Sequence, residues 1–595
     1  MVVPTLVAVV TALAALSQRE SATGPPAAAR SVAVFPSPAT PTASPRTQVT
    51  VRGAAPAELR SLLVRGSRTG RHAGRLVAHS DGQGASFVPA RPFAPGERVT
   101  VRAPLPILGA RGRVATFRIA RAPTAPAAPA RAPPPQRRVR GAQRFRSRPD
   151  LHPPGVAVRR NTVADAPGSF FVSPKAGTTP PGTMIVDGAG RLVWWHRVPR
   201  GQQAYDFRAQ TFHGRPVATW WQGRFLGSFG AGEGEIYDAA LRRIARVRAG
   251  NGYRADLHEF LLTPRNTALL VIYDTVRLDL SAVGGRRGAT VLEGVVQEVD
   301  VDTGAVLFEW HSLRDVPLRE SYMPVPRARD EVYDYVHINS VALDADGDLL
   351  VSGRHTHAVY KIDRESGRIR WRLGGRRSSF RMGPGAAFRW QHDARRRADG
   401  ALTLFDNRAR QPLKGVKSRA LVLRLDETAR TATVVQAIRH PRGLLGASQG
   451  NVQALPDGGM VVGWGGRNPV FSQFDARGRL VFDARFRDTE AESYRAYRLP
   501  WSAQPGSRPA LAVRRTGAGM VVFASWNGDT GVAAWRVVSR APGASGRVLG
   551  QAARTGFETP IRVPVRASPV AVQALDASGR VLATSRAAAV GRGAG

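Results

Sequence analysis

The chain has 595 residues, too long for one compact core, so several domains are expected. It carries 86 Lys and Arg against 44 Asp and Glu, a formal net charge of +42 at pH 7. The basic residues are mostly arginine spread along the chain, without RNP-type, zinc-finger or basic-helix patterns, so nucleic acid is not an expected partner. The charge instead predicts a general attraction to anionic surfaces and substrates. The absence of cysteine excludes disulfides, thiolate catalysis and zinc–thiolate or iron–sulfur centres.

The first residues indicate export. The run VVPTLVAVVTALAAL, residues 2–16, has the length of the apolar part of a signal peptide and is too short to span a bilayer. Residues 1–30 are therefore predicted to be a signal peptide, although no Lys or Arg precedes the apolar run. A buried N-terminal strand is the alternative. The signal peptide predicts a secreted protein, or one associated with an anionic cell envelope.

The next residues alternate between linker-like and strand-like composition. Residues 31–45 are rich in Pro, Ala, Ser and Thr and are predicted to be a linker. Residues 46–122 contain short alternating runs such as TQVTVRG and ERVTVRA, which are typical of an Ig-like β-sandwich. Residues 123–150 are rich in Pro and Arg, and predict a second linker stiffened by proline.

The middle region, residues 151–510, repeats one pattern. In GTMIVDGAGRLVWWHRV, VQEVDVDTGAVLFEWHS and VYKIDRESGRIRWRLGG, an alternating strand leads to Asp, a Gly-containing turn and a second strand with aromatic residues. The spacing is typical of propeller blades, so an all-β fold with a β-propeller of about six blades is predicted. Residues 511–595 predict a fibronectin type III-like β-sandwich with Trp526 and Trp535 in its core.

Histidines recur at matched places in this middle region. They lie in RADLHEF, YVHINSVAL, VSGRHTHAV and WQHDA, and in most of these segments a polar residue precedes an apolar strand that leads into a turn. In a propeller this is the start of an inner strand, so equivalent residues on successive blades point to one end of the central channel. SQGNVQAL has the same form without a histidine. The residues predicted to converge are His258, His337, Asn339, Arg354, His392 and Asn451.

Two chemistries use clustered histidines. A metal site needs neutral imidazoles, usually with carboxylates, and Asp256, Glu259 and Asp393 lie close in sequence. Alternatively, a neutral histidine attacks a sulfuryl or phosphoryl group while Arg, His and Asn stabilise charge on the equatorial oxygens. Arg354 among His and Asn donors has the composition of an anion-binding site. The residues by themselves leave both chemistries open.

The ordered segments LHEF, HINSV, SGR and QHDA resemble the bacterial arylsulfotransferases, and more closely their secreted actinobacterial branch with accessory sandwich domains. The resemblance covers about residues 150–590. In that family a channel histidine is transiently sulfurylated by an aryl sulfate, and the sulfuryl group then passes to a phenol without a nucleotide sulfate donor. The resemblance therefore implies an aryl-sulfate sulfotransferase that needs no cofactor or metal and whose partners are small aryl sulfates and phenols.

The resemblance also implies roles for residues. His392 would be the nucleophile, His337 and Asn339 match a His-x-Asn pair that contacts sulfate oxygens, Arg354 would neutralise sulfate charge, and His258 would assist proton transfer or oxyanion binding. The family disulfide of the enterobacterial enzymes cannot form here, because the chain has no cysteine, and their N-terminal domain does not clearly match residues 46–122. Further candidates for substrate contact or aromatic stacking are Asn451, His355, His357, Trp220, Trp221, Trp390 and Trp464.

Two other functions fit the same residues. Propellers are common binding scaffolds, so a non-catalytic secreted propeller that binds polyanionic extracellular ligands in its basic channel is the main alternative. A metal-dependent hydrolase is the third.

Overall fold

The computed structural model describes residues 30–121, 140–409, 415–466, 468, 470–543 and 546–589. The predicted signal peptide up to residue 29 and the predicted linker from 123 to 139 lie outside the described residues. The described residues form 42 β-strands joined by turns and loops, with one short α-helix, α1 (Ser312–Asp315), and single 3₁₀ turns at Pro56–Leu59, Ser281–Val283 and Leu318–Glu320. The predicted all-β class is confirmed. Among the described residues, none of the helices has the length and apolar character needed to cross a membrane.

The N-terminal unit consists of two four-stranded sheets, ordered β1-β2-β6-β5 and β4-β3-β7-β8. Alternation such as RVTVR in β7 buries Val99 and Val101 in a core shared by both sheets. The strands are β1 (Ala33–Phe35), β2 (Val49–Arg52), β3 (Leu63–Gly66), β4 (Gly70–Arg71), β5 (Gly74–Ala78), β6 (Gly84–Pro89), β7 (Arg98–Arg102) and β8 (Val114–Arg118).

The prediction of a linker at residues 31–45 is wrong. Ala33–Phe35 pairs with β2, and Val32 and Val34 are buried in the core of the N-terminal unit. The segment is rich in Pro and Ser, but its few apolar residues alternate and complete a sheet whose other strands come later in the chain.

The central unit is a series of sheets with strands β9 (Val156–Asn161), β10 (Ser169–Lys175), β11 (Gly182–Val186), β12 (Leu192–Arg197), β13 (Gln203–Phe212), β14 (Arg215–Phe225), β15 (Gly230–Tyr237), β16 (Arg243–Val247), β17 (Ala255–Leu262), β18 (Thr267–Leu278), β19 (Ala289–Asp300), β20 (Val306–His311) and β21 (Val332–Asp334). The series continues with β22 (Ile338–Leu343), β23 (Leu349–Gly353), β24 (Ala358–Ile362), β25 (Ile369–Gly374), β26 (Arg381–Met382), β27 (His392–Arg396), β28 (Leu402–Asp406), β29 (Arg419–Asp426), β30 (Thr431–Ile438), β31 (Asn451–Ala454), β32 (Met460–Gly463), β33 (Val470–Phe474), β34 (Leu480–Phe486) and β35 (Glu492–Leu499).

These sheets surround a channel. The inner strands β13, β17, β22, β27, β31 and β35 contact one another in this order, and β35 also contacts β13, so the ring closes. Strands from both ends of the unit complete the closure, since β35 pairs with β10 in the first sheet and β9 pairs with β34 in the last. This propeller-like arrangement brings the N-terminal ends of the inner strands together at one end of the channel.

A buried ion network fills the channel beyond these N-terminal ends. Arg495 Nη1 lies 2.8 Å from Asp206 Oδ1, and Arg395 Nη2 lies 2.6 Å from Glu259 Oε2. The network links four inner strands, β13, β17, β27 and β35, and separates the N-terminal end from a cavity of about 560 Å³ at the other end, lined by residues that include Leu262 and Leu499. The members of this ion network are Asp206, Arg208, Glu259, Asp393, Arg395 and Arg495.

The C-terminal unit has two sheets, ordered β36-β37-β40 and β39-β38-β41-β42, and Trp526 and Trp535 are buried in the core between them, as predicted. The Asn527 side chain exchanges two hydrogen bonds of 2.9 Å with the backbone of Trp195, which fixes this unit on the central one. The strands are β36 (Ala510–Thr516), β37 (Gly519–Ser525), β38 (Ala534–Ser539), β39 (Val548–Ala553), β40 (Glu558–Val563), β41 (Val570–Leu575) and β42 (Val581–Thr584).

Candidate active site

Histidines from neighbouring inner strands meet at the N-terminal end of the channel. The ring of His258, on β17, lies 4.9 Å from that of His337, which immediately precedes β22. The His337 ring lies 4.6 Å from that of His355, in the turn after β23. All three are at most 5% exposed. His337 has φ +49°, a left-handed conformation that is costly for a side chain of this size and turns the ring toward its neighbours.

Asp334 holds two of these rings. His337 Nδ1 lies 2.6 Å from Asp334 Oδ2, and His355 Nδ1 donates to the Asp334 carbonyl oxygen at 2.6 Å. His355 Nε2 accepts a hydrogen bond from Arg354 Nη1 at 2.7 Å, which fixes the proton of His355 on Nδ1. Burial lowers the pKa of His355 to about 3, and burial together with His258 and Arg354 holds the pKa of His337 well below its usual value. Both imidazoles are therefore neutral near pH 7.

His258 forms a separate pair with Asp256. His258 Nδ1 lies 2.5 Å from Asp256 Oδ2, and Asp256 Oδ1 accepts a 2.7 Å hydrogen bond from the backbone N–H of Gly230. The carboxylate thus orients the ring, and a histidine hydrogen-bonded to a carboxylate is an arrangement suited to proton transfer. Tyr273 packs against both His258 and His337, with ring centroids 5.9 and 5.7 Å away.

The hydrogen bonds of His392 identify which nitrogen is nucleophilic. Its Nδ1 lies 2.7 Å from Asn407 Oδ1. Asn407 Nδ2 donates to the carbonyl oxygens of Gly446 and Gln449, so the amide oxygen must face His392 and accept from Nδ1–H. The lone pair of His392 is therefore on Nε2, where it accepts a 3.1 Å hydrogen bond from the backbone N–H of Gln449.

Arg354 supplies positive charge beside these rings. Its guanidinium carbon lies 4.7 Å from the centroid of the Trp390 ring, and Nη2 donates to the Ala447 carbonyl oxygen at 3.3 Å. Burial lowers the pKa of Arg354 to about 10, which leaves the group charged at neutral pH. Burial, followed by the charge of Arg354, holds the pKa of His392 well below its usual value, so a neutral imidazole lies within the field of a cation.

The two asparagines that were predicted to contact the substrate, Asn339 and Asn451, form hydrogen bonds with the backbone. Asn451 Nδ2 donates to the Ala496 carbonyl oxygen, and its Oδ1 accepts from the Ala496 N–H, both at 2.9 Å. This side chain joins β31 to β35, and the role of Asn451 in substrate binding stays a prediction. Asn339 Nδ2 donates to the Gln391 carbonyl oxygen at 2.6 Å and thereby positions the residue before His392.

The remaining aromatic candidates divide between packing and the site. Trp220, Trp221 and Trp464 are fully buried in the hydrophobic cores of the sheets. Only Trp390, of the four tryptophans proposed from the sequence, contacts the histidine cluster in the described part of the chain. His357 stacks on Tyr322 with centroids 4.0 Å apart and lies at the edge of the site.

Part of the cluster has the spacing of a metal site. Atoms of Asp334, His337 and His355 lie within 4.8 Å of one another, close enough to share an ion. The Arg354 guanidinium, hydrogen-bonded to His355, would stand beside that ion and repel it. Glu259 and Asp393, proposed from the sequence as ligands, are instead engaged by arginines of the ion network. A cation among neutral imidazoles and N–H donors fits an anionic ligand better.

The fold and this cluster define a propeller-like β-protein with a histidine- and arginine-based site at one end of its channel. Residues 208–487 match the arylsulfotransferase (ASST) family model, a span that contains every motif of the predicted resemblance. This match confirms the predicted resemblance to the arylsulfotransferase family over these residues. The match supports an arylsulfotransferase function in general terms.

Solved structures show only distant similarity. A Bacteroides caccae protein of unknown function is 12% identical with a TM-score of 0.35, covering 56% of this chain and 98% of its own. A virginiamycin B lyase from Staphylococcus aureus is 10% identical with a TM-score of 0.28, covering 63% and 96%. The periplasmic gluconolactonase PpgL of Pseudomonas aeruginosa is 16% identical with a TM-score of 0.29, covering 67% and 99%. A comparison with curated proteins gave no match.

The neutral histidines predict the direction of the pH dependence of stability. Burial lowers the pKa of His337, His355 and His392 in the folded state, whereas the unfolded chain binds these protons near pH 6.5. The free energy of unfolding should therefore fall as pH drops below about 6.5, by about 1.4 kcal/mol per pH unit for each histidine. Urea unfolding from about pH 7.5 to about pH 5 measures the slope. In His392→Asn the slope should be smaller by the contribution of one histidine, about 1.4 kcal/mol per pH unit. An unchanged slope would contradict a neutral buried His392.

Proposed function

We propose that this protein transfers a sulfuryl group from an aryl sulfate ester to a phenol through a sulfohistidine at His392. The observation that carries the proposal is the hydrogen bond of His392 Nδ1 to Asn407, which places the nucleophilic lone pair on Nε2. Nε2 must release the Gln449 N–H before it attacks. Arg354 and the neutral histidines supply charge and hydrogen bonds beside it. No metal or nucleotide enters the proposed reaction.

In the first half-reaction the Nε2 lone pair of His392 attacks sulfur. A nitrogen–sulfur bond forms, the bond between sulfur and the aryl oxygen breaks, and its electron pair leaves with the phenolate. Arg354 stabilises the charge that accumulates on the three sulfuryl oxygens. Protonated His258, stabilised by Asp256, donates its proton to the departing phenolate.

The second half-reaction is the reverse with another phenol. Neutral His258 takes the proton of the acceptor hydroxyl, the phenol oxygen attacks sulfur, and the nitrogen–sulfur bond returns its electron pair to His392. His258 is again protonated and His392 again neutral, so the cycle closes. Because the donor phenol must leave before the acceptor binds, ping-pong kinetics are expected.

We also propose the finer architecture around this site. The closed ring of inner strands supports a propeller of six blades over residues 151–510. The paired sheets at either end, each pair with a shared core, support an Ig-like sandwich before it and a fibronectin type III-like sandwich after it. Export to the cell exterior or envelope is proposed from the apolar run at residues 2–16 alone.

The proposal predicts acceptor-dependent release of 4-nitrophenol from 4-nitrophenyl sulfate. Purified protein is mixed with the donor and a panel of phenols, in the presence of a chelator, and both 4-nitrophenol and the new aryl sulfate are measured. A transferase gives equal amounts of the two products, and parallel lines in double-reciprocal plots identify the ping-pong order. Release that disappears on chelation would point to a metal-dependent hydrolase, and no release with any phenol would favour the binding propeller.

A further inference from the structure

The indole N–H of Trp390 is a buried donor beside the proposed nucleophile. Trp390 stands two residues before His392, and its ring lies face-on to the Arg354 guanidinium, 4.7 Å from the guanidinium carbon. The rings of His355 and His357 meet it at 5.2 and 4.9 Å in edge-on contacts. Among the described residues, none accepts a hydrogen bond from Trp390 Nε1, although the atom is shielded from solvent.

A buried N–H without an acceptor is costly and is uncommon in folded proteins. Trp221 and Trp464, by contrast, donate to the Ala255 carbonyl oxygen and to Ser472 Oγ, both at 3.0 Å. Trp501 and Trp535 also lack an acceptor among the described residues. A missing acceptor is therefore not sufficient evidence for a ligand.

A second donor distinguishes Trp390. Arg354 Nε is likewise buried and has no acceptor among the described residues, although both terminal nitrogens of the same guanidinium are hydrogen-bonded. A charged N–H and a neutral N–H thus lie in adjacent groups without acceptors. Neither can ligate a cation, and together they match the oxygens of an anion.

The backbone of Trp390 is held in place by neighbouring contacts. Trp390 has φ +56°, a left-handed conformation that is rare for a large side chain and is characteristic of functional sites. The next residue, Gln391, is fixed by hydrogen bonds from Nε2 to the carbonyl oxygens of Gly353 and Ala358, at 3.0 and 3.1 Å. The donor and the nucleophile therefore belong to one rigid segment, as electrostatic preorganisation requires.

We infer that Trp390 Nε1–H and Arg354 Nε–H bind the non-bridging oxygens of the sulfuryl group while it is attached to donor, His392 or acceptor. The inference rests on the proposed function and assigns Trp390 a catalytic role that aromatic stacking alone does not supply. The indole transfers no proton; it donates a hydrogen bond that strengthens as charge accumulates on the sulfuryl oxygens.

The test is Trp390→Phe, which keeps an aromatic face for Arg354 and removes the N–H. We expect kcat/KM for 4-nitrophenyl sulfate to fall by about 10²-fold. Stabilisation of the protein by inorganic sulfate, measured as a shift in Tm, should also be lost. Trp464→Phe is the matched control, because it makes the same chemical change at a buried indole whose N–H is bonded to Ser472. This control should keep wild-type kinetics and the wild-type sulfate shift.

The outcomes separate this inference from the function on which it rests. Wild-type kinetics in Trp390→Phe, with turnover that still depends on His392, would overturn the role of Trp390 and leave the transferase intact. Absence of turnover in the wild type would refute the transferase. The anion site would be refuted if sulfate did not raise the Tm of the wild type, or if it raised the Tm of Trp390→Phe equally. If Trp390→Phe does not fold, benzothienylalanine at position 390 keeps the bicyclic ring and replaces N–H by sulfur, and the same expectations apply.

Discussion

Replacement of His392 by asparagine is expected to lower turnover of 4-nitrophenyl sulfate by about 10³-fold or more, because the covalent route through Nε2 is lost. The sulfuryl-binding donors of Arg354 and Trp390 remain, so affinity for the donor should change far less than kcat. Wild-type protein given donor without acceptor should gain the mass of one sulfuryl group on the peptide that contains His392. His392→Asn should gain none.

A matched control is His213→Asn. His213 lies in the hairpin between β13 and β14 and is exposed. Its Nε2 lies 3.2 Å from Oδ1 of the exposed Asp302, and its ring packs against Phe212, far in the fold from the histidine cluster. Its replacement should leave turnover unchanged. Turnover by His392→Asn within about tenfold of the wild-type rate would refute the sulfohistidine route. Sulfuryl mass on another histidine would identify a different nucleophile on the same fold.

The clustering of His258, His337 and His392 could be predicted because it depends on a local pattern. His337 and His392 stand at the start of an inner strand and His258 lies in the first half of one, and successive inner strands of a ring place these ends together. Strand alternation and turn chemistry are properties of a few consecutive residues, so a sequence expresses them directly.

The partners of these histidines could not be predicted in the same way. Asn407, just after β28, reaches His392 across the paired strands β27 and β28, and Asp334, at the end of β21, reaches His337 across a short turn. An Asp or Asn at the end of a strand is also common in turns that bind nothing, so the sequence carries no distinguishing signal. Asn451 shows the converse: its position matches the pattern, but pairing with β35, 45 residues later, uses both ends of its amide.

Replacement of Glu259 by glutamine is expected to lower the free energy of unfolding by about 3–5 kcal/mol. Burial opposes ionisation of Glu259, but Arg395, Arg495 and Arg208 hold its pKa far below the usual range. Glu259 is thus ionised in the folded protein at every pH above its ordinary pKa. The stability that its charge contributes is lost only as the pH falls below that pKa. Urea unfolding near pH 7 measures the change.

The size of this effect follows from what the substitution leaves behind. Glutamine keeps the shape of Glu259 but removes the negative charge, so the three buried guanidiniums share only Asp206 and Asp393. Asp475→Asn is the control, because its partner Arg479 is 70% exposed and an ion pair so open to solvent contributes little to stability. Equal effects of the two substitutions would show that the ion network does not stabilise the ring. If Glu259→Gln loses much stability while kcat of the folded fraction is unchanged, the ion network holds the inner strands together and takes no part in the chemistry at their ends.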